Sequence, residues 1–385
     1  MAILVGHGRC DITPLLGIGM VGYASRKEGA TGVHDELFVQ AVVLDDGAAP
    51  VALVAYDLCL LTPALATEFK EAIRQATGLA PEQVFLNTSH THAGPTLGGY
   101  GDVTEQVLAY RAVVIDQTIA AIRAARADCV PATFHVGHAP LDIGCNRRET
   151  LSGGRVILGH DPNGPTVHRV TVWLFSRQDR PDLAIFSTPM HGTTLGGQNR
   201  ILSAEWMGMA VQYFERDYPN LRAIFLQGCG ANQDPYYTRV EGGRGTFAEL
   251  EEHGRQAAIA IAQAVVAVHP LDPSPMRPVL RRLELAPKEA GGEPQTLILH
   301  GLRLGEAMLL TLNAETFVEF AQHGVAISPA AETLILGYTD GNIGYLCTAN
   351  AHREGGYEAG TTRVAPESED IVKAAMGELF AELQA

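Results

Sequence analysis

An α/β fold, with a mixed β-sheet flanked by helices, follows from three features of this 385-residue chain. Short apolar, β-branched runs alternate with long stretches of helical period, the pattern of a sheet covered by helices. Three of those runs end in glycine-rich turns of one style. Hydrophobic residues make up 46% and charged residues only 18%, the balance of a chain that buries a large core rather than of a disordered or fibrous one. No stretch has the composition of a flexible interdomain linker, so one large domain over residues 1–385 is expected.

The apolar residues that follow Met1 read as a first strand. Leu37 to Leu44 and Val51 to Leu58 flank the turn-forming Asp45-Asp46-Gly47 and predict a hairpin. Thr62 and Pro63 supply an N-cap hydroxyl and a proline at the first helical position, and Gly78 closes that helix. A strand over Gln83 to Asn87 and a helix from Thr104 to about Ala127 come next. Strands are then predicted near Ala132 to Val136, Arg169 to Phe175, Leu183 to Ser187 and Ala223 to Gln227, and a second long helix over Phe247 to Val268. Val279 to Leu285, Thr296 to Arg303 and Ala307 to Leu312 have the look of an antiparallel meander, which makes the sheet mixed. Loops rich in Gly or Pro are expected at Leu151 to Thr166, Tyr237 to Thr246 and Pro287 to Pro294, and a closing helix capped by Ser368.

A formal net charge of −15, with no local run of Lys or Arg, disfavours contact with phosphate backbones and anionic lipid, so nucleic acid is excluded as a partner. Nowhere do about 18 uncharged apolar residues occur together, the length that spans a bilayer. The N-terminus has no basic leader or small-residue cleavage site, and a cytoplasmic location is the expectation. The six cysteines include no Cys-x-x-Cys pair, which excludes a thiolate zinc knuckle and points to free, mostly buried thiols.

The strongest local motif is Asn87-Thr-Ser-His-Thr-His-Ala-Gly-Pro95, where a hydrophobic strand runs into a turn carrying His90 and His92. Strand ends followed by glycine turns are where α/β proteins place reactive groups. If the extended geometry continues, both imidazoles point to one side and face one metal or substrate; the plainer alternative is that they satisfy loop carbonyls. A second strand ends in His191-Gly-Thr-Thr, and a third in Gly228-Cys-Gly-Ala-Asn-Gln-Asp-Pro235. Three strand ends of one kind imply one shared pocket. Glu315 follows an apolar strand at the apparent start of a helix, where a carboxylate also serves as a cap. Tyr345 and Tyr357, taken alone, are equally consistent with packing residues.

In ordered series these residues resemble the catalytic domain of the neutral/alkaline non-lysosomal ceramidases and their shorter bacterial relatives. The resemblance begins at Asp11-Ile-Thr-Pro14 and Met20-Val-Gly-Tyr23, and continues through Val33-His-Asp-Glu36, Asp57 and the specific His90-Thr-His-Ala-Gly-Pro95. It extends over Asn146-Arg147, His191-Gly-Thr-Thr194, Ser203-Ala-Glu205, the Gly228 to Pro235 turn, Ala314-Glu315, and Tyr345 with Tyr357. It implies one Zn²⁺ held by His90, His191, Glu315 and Tyr345, with His92 as a catalytic group on the substrate side. Arg147 and Tyr357 match positions that line the family's active site, suited to hold a carbonyl oxygen or developing oxyanion. Two imidazoles, a carboxylate and a phenol are N/O donors that suit zinc, which activates a water near neutral pH and polarises a carbonyl.

The family carries a serine where this chain has Asp234, a residue that serves as a general base or caps its turn by an Asx hydrogen bond. The chain also ends soon after Tyr357, where ceramidases continue into a β-sandwich. The expectation is a zinc-dependent hydrolase of an amide-type bond, N-acyl or cyclic, in a small-molecule substrate. Three alternatives stand beside it: an ester or lactone hydrolase on the same zinc, a binding protein that keeps the pocket, and a thiol hydrolase built on Cys229 in its glycine turn. Assembly into a homo-oligomer is left open by the sequence.

Overall fold

In the computed structural model, which describes residues 3–99, 101, 103–239 and 245–385, the chain forms four layers in the order helices, sheet, sheet, helices. The larger sheet is built from β1 (Ile3–Asp11), β2 (Phe38–Asp45), β3 (Val51–Tyr56), β4 (Val84–Thr88), β5 (Val130–Pro140), β6 (Arg169–Arg177), β7 (Asp182–Ser187) and β8 (Leu221–Phe225). Their spatial order is β8-β7-β6-β5-β1-β2-β3-β4, with the short strand His269–Leu271 added beside β5. Pairing is antiparallel except for β3 with β4 and β7 with β8. The expected meander is real but forms a second sheet, β9 (Met276–Leu285), β10 (Gln295–Leu304), β11 (Ala307–Leu312) and β12 (Glu332–Leu336), whose last pair is parallel.

The period of burial explains the layering. Along β2, Val42 and Leu44 face the second sheet, while Val39, Ala41 and Val43 face α1 (Pro63–Thr77) and α2 (Glu105–Ala127). Leu302, Leu304, Leu309 and Leu334 complete the core between the sheets. Outside β6 to β8 lie α3 (Glu205–Asp217) and α4 (Phe247–Val266), and outside the second sheet lie α5 (Val318–Ile327) and α6 (Ser368–Gln384). Gly6 and Gly8 let α2 lie directly on β1, since a Cβ on either would stand 1.9 or 2.0 Å from a carbonyl oxygen of Ala125 or Ala121. Thr62 and Thr104 cap α1 and α2 through their hydroxyls, as their sequences predict.

Several expectations change. The Leu151 to Thr166 loop contains a strand, Val156–Asp161, paired with Gly144–Thr150, which the polar, glycine-rich sequence hid. The Tyr237 to Thr246 loop lies partly outside the described residues. Ser368 is the first residue of α6, after Glu367 at its N-cap, and Glu369 and Asp370 supply the favourable charge in the first turn. Glu315 does not open a helix. It lies in a two-residue strand, Glu315–Thr316, because its N–H donates to Gly344 and that of Phe317 to Leu346, so that α5 starts only at Val318. Helix α3 went unread because Ala204 at its N-cap has no side-chain acceptor to signal it. No helix among the described residues is long and apolar enough to cross a membrane, and the six thiols are free, four of them buried.

Candidate metal centre

The carboxyl ends of β4, β7, β8, β11 and β12 converge, and the site lies there. This is where strands of an α/β fold leave backbone groups and side chains free for chemistry. Past β4 the chain departs from the extended geometry assumed from sequence. His90 takes a left-handed φ of +59°, with its N–H donated to Leu58. Thr91 bridges to Gly192, and the N–H of His92 donates to Gly192 at 2.8 Å. A side chain at 192 would reach within 3.0 Å of the His90 carbonyl, so glycine is what lets the two histidine-bearing segments run side by side.

The imidazoles meet all the same. His92 Nε2 lies 3.0 Å from His90 Nε2, and the rings of His90 and His191 are 4.8 Å apart. Both buried histidines have their outer nitrogen tied to backbone: His90 Nδ1–H donates to the Cys59 carbonyl at 2.8 Å, and His191 Nδ1–H to that of Gly230 at 2.6 Å. A carbonyl only accepts, so each Nδ1 carries the proton and, in a neutral ring, each Nε2 presents a lone pair inward. Glu315 meets them. Its Oε2 stands 3.4 Å from His90 Nε2 and 3.8 Å from His191 Nε2, and this oxygen is buried with no hydrogen bond of acceptable geometry among the described residues. Two donors about 2.0–2.1 Å from a tetrahedral zinc are separated by roughly 3.4 Å, so these spacings fit one ion better than they fit direct bonding. His90, His191 and Glu315 together form one of two residue groups close enough to share a cation among the described residues; the other, Cys59 with His90 and His92, overlaps it.

The charges of these groups are tightly coupled. Burial opposes ionisation of Glu315, yet the two imidazoles hold its carboxyl well below the usual range. Burial likewise disfavours charge on His90, but Cys59 and Glu315 outweigh it and lift the imidazole to about 10. His92 goes the other way: burial, then the neighbouring His90 and His191, keep it neutral. Tyr23 packs edge-on against the His92 ring at 4.9 Å, and Gly22, at φ +109°, leaves the space that ring occupies.

Tyr345 is in register with Glu315 across the small parallel pair, and its hydroxyl accepts from Arg147 Nη2 at 3.1 Å. Burial and Glu315 raise this phenol while Arg147 opposes them. Arg147 itself is buried. It donates from Nε to Glu358 at 2.7 Å and from Nη1 to Asp234 at 3.3 Å, and it lies 3.4 Å from His191 Nε2. Asp234 has no exposed surface and also accepts from the Thr193 hydroxyl. Tyr357 stands at the rim, half exposed, with its ring 5.7 Å from that of Tyr345. Sequence reasoning missed two contributors. Glu358, fully buried between Arg147 and Arg148, was overlooked beside its neighbour Tyr357. Tyr338 packs its ring 4.3 Å from that of His90; the signal for it was that β12, like the other strands, ends in a turn-rich Gly-Tyr-Thr-Asp-Gly. Cys229 is buried in apolar surroundings that push its thiol up, which removes the thiolate a thiol hydrolase needs.

Residues 3–234 match the family described as neutral/alkaline non-lysosomal ceramidase, N-terminal. The neutral ceramidase of Mycobacterium tuberculosis is 26% identical over 262 residues, covering 60% of this chain and 40% of that protein. That of Pseudomonas aeruginosa is 25% identical over 271 residues, 66% of this chain and 40% of the relative. The alignments thus span less than half the length of these relatives. The crystal structure of the Pseudomonas aeruginosa neutral ceramidase superimposes over 100% of this chain and 74% of its own, with a TM-score of 0.80 at 19% identity. The fold is therefore shared through Glu315, Tyr345 and Tyr357, beyond the segment matched in sequence. This chain belongs to the neutral/alkaline non-lysosomal ceramidase family.

Proposed function

We propose that the chain is a zinc-dependent hydrolase of an amide-type bond, N-acyl or cyclic, in a small-molecule substrate. The observation that carries this reading is the convergence of His90 Nε2, His191 Nε2 and an unpartnered Glu315 Oε2, with both Nδ1 atoms anchored to carbonyls. Family membership supports the bond type, since ceramide, the substrate in the relatives' name, is itself an N-acyl amide.

His90, His191 and Glu315 would hold the zinc, with Tyr345 as the fourth ligand. Bound there, zinc supplies a water activated near neutral pH and a Lewis acid for the carbonyl. The protein's own groups do the rest. His92, kept neutral by burial and by His90 and His191, would take a proton from the attacking water and give it to the leaving nitrogen. Arg147 is locked by Glu358 and Asp234, so its Nη2 proton fixes the Tyr345 oxygen in place. Asp234, enclosed under that guanidinium, serves to hold Arg147 rather than to take a proton from solvent. Tyr357 at the rim is placed to contact the acyl or amine portion of the substrate.

The test is elemental analysis of protein purified without added metal, followed by a screen of N-acyl amides, lactams and esters. About one zinc per chain and chelator-sensitive amide hydrolysis are expected. Well under one transition metal per chain, with turnover that ignores chelators, would reject the proposal, and turnover confined to esters would replace the bond type.

A further inference from the structure

Tyr338 is buried, with 1% of its surface exposed, and it holds a left-handed φ of +52° that a bulky side chain rarely adopts. Such strain persists only where the surroundings over-determine it. Here they do. The Tyr338 N–H donates to Ala314, the residue before Glu315, and its carbonyl accepts from Thr88 N–H at the end of β4. Two residues on, Asp340, also left-handed at φ +64°, accepts from the Leu86 N–H of β4 at 3.0 Å and meets Lys70 of α1 at 2.8 Å and His300 of β10 at 2.6 Å, so the turn is tied to three elements, one of them the strand leading to His90.

What this frame delivers is a phenol at the centre. The Tyr338 ring lies 4.3 Å from that of His90 and 6.2 Å from that of His191, and its hydroxyl is buried without a hydrogen-bond partner among the described residues. After burial itself, the charge this phenol feels most is that of Glu315. Among the described residues, Glu315 Oε2 makes no hydrogen bond of acceptable geometry, standing 3.4 Å from His90 Nε2 and 3.8 Å from His191 Nε2, and Oε1 is met by Asn342 Nδ2 at 3.4 Å. The phenol and the carboxylate thus lie against the same His90 imidazole, and a buried hydroxyl left without an acceptor is costly.

We propose that Tyr338 is a positioning residue of the metal centre, whose hydroxyl is the hydrogen-bond donor for Glu315 in the cation-bound protein. Ligating carboxylates are themselves held by hydrogen bonds, and loss of such a partner weakens metal binding about 10–100-fold. This rests on the zinc reading above and adds to it a residue that sets how tightly the cation is held.

The experiment is Tyr338→Phe, compared with wild type for zinc affinity by competition against a chromophoric chelator and for thermal midpoint of the metal-free protein. Zinc affinity is expected to fall about 10–100-fold. The metal-free melting temperature is expected to stay level or rise, because the variant loses a buried hydroxyl that had no partner. The visible spectrum of the cobalt(II)-loaded variant should shift as the carboxylate reorients. A zinc dissociation constant within twofold of wild type overturns the proposal, and so does a weaker constant accompanied by a lower metal-free melting temperature, which would make the hydroxyl a packing group. Wild-type protein that takes up no zinc would bring down the hydrolase reading as well.

Discussion

Asn87 and Gln227 join the two edges of the large sheet: the Gln227 N–H donates to Asn87 Oδ1 at 2.8 Å, and Asn87 Nδ2 donates back to the Gln227 carbonyl at 3.4 Å. One follows Leu86 in the edge strand β4, the other lies just past the opposite edge strand β8. The same amide also reaches the Gly337 carbonyl and the Thr339 hydroxyl, so three converging strand ends share one buried side chain. The sheet curls until its edges meet, and His90 comes within reach of His191.

Asn87→Ala should therefore destabilise the protein by about 1–3 kcal/mol, the cost of leaving the Gln227 N–H buried and unpaired. Zinc uptake should weaken with it. Urea unfolding of the metal-free proteins measures the first effect; a change below about 0.5 kcal/mol would mean that the edges are held by other contacts.

Glu315→Gln removes the charge that balances a cation while keeping the shape of the side chain. Zinc content should drop well below one per chain and amide turnover by at least about 100-fold, with the fold retained by circular dichroism. Retained zinc and turnover would remove Glu315 from the ligand set.

Arg147 is enclosed with Glu358 and Asp234, so Arg147→Met would take away the cation these two buried carboxylates share, leaving Glu358 with Arg148 and Asp234 with the Thr193 hydroxyl, and cost about 3–5 kcal/mol. Arg147→Lys keeps the charge but loses the fork that reaches Glu358, Asp234 and Tyr345 together, and should recover only part of the stability. Equal midpoints for Arg147→Lys and wild type in guanidinium would contradict this ion-pair role.

Glu205 supplies a pH dependence. Its carboxyl is buried, and burial, only partly offset by the N–H groups of Leu195 and Trp206, raises it to about 7. The folded chain therefore binds this proton more tightly than the unfolded chain does. Its contribution is most favourable below the unfolded value near 4.3 and is lost as pH rises from there through about 7. Glu205→Gln should flatten that decline, by on the order of 2–3 kcal/mol between pH 4.5 and pH 8. Parallel pH profiles of unfolding free energy for the two proteins would argue against it.

Cys229 should resist alkylation in the native state, since its thiol is enclosed and its pKa is raised by burial. Activity should survive iodoacetamide and be lost to chelators. Mass spectrometry of the native protein reads the first outcome, and rapid modification of Cys229 with loss of activity would revive the thiol mechanism.

Much of this was legible without coordinates, because local chemistry writes local structure. The caps at Thr62 and Thr104, the hairpin over Asp45 to Gly47 and the three meander strands all announce themselves through side chains that act on their own backbone. The strand-end turns bearing His90, His191 and Asp234 were visible for the same reason. The short pair Glu315–Thr316 with Tyr345–Leu346 was not, since its partners lie 30 residues apart and neither carries a strand pattern long enough to read.

By itself, then, the amino-acid sequence determined the α/β class, the elements with strong caps and periods, and the residue types offered to a metal. Only the tertiary structure decided that β4 and β8, edge strands of one sheet, meet through Asn87 and Gln227, and that Asp234 faces Arg147 inside the protein. It also decided that Tyr338 turns toward His90 and His191. The physical reason is that convergence depends on sheet curvature and on buried polar pairings between residues far apart in the chain, whereas periodicity and capping act over a few residues.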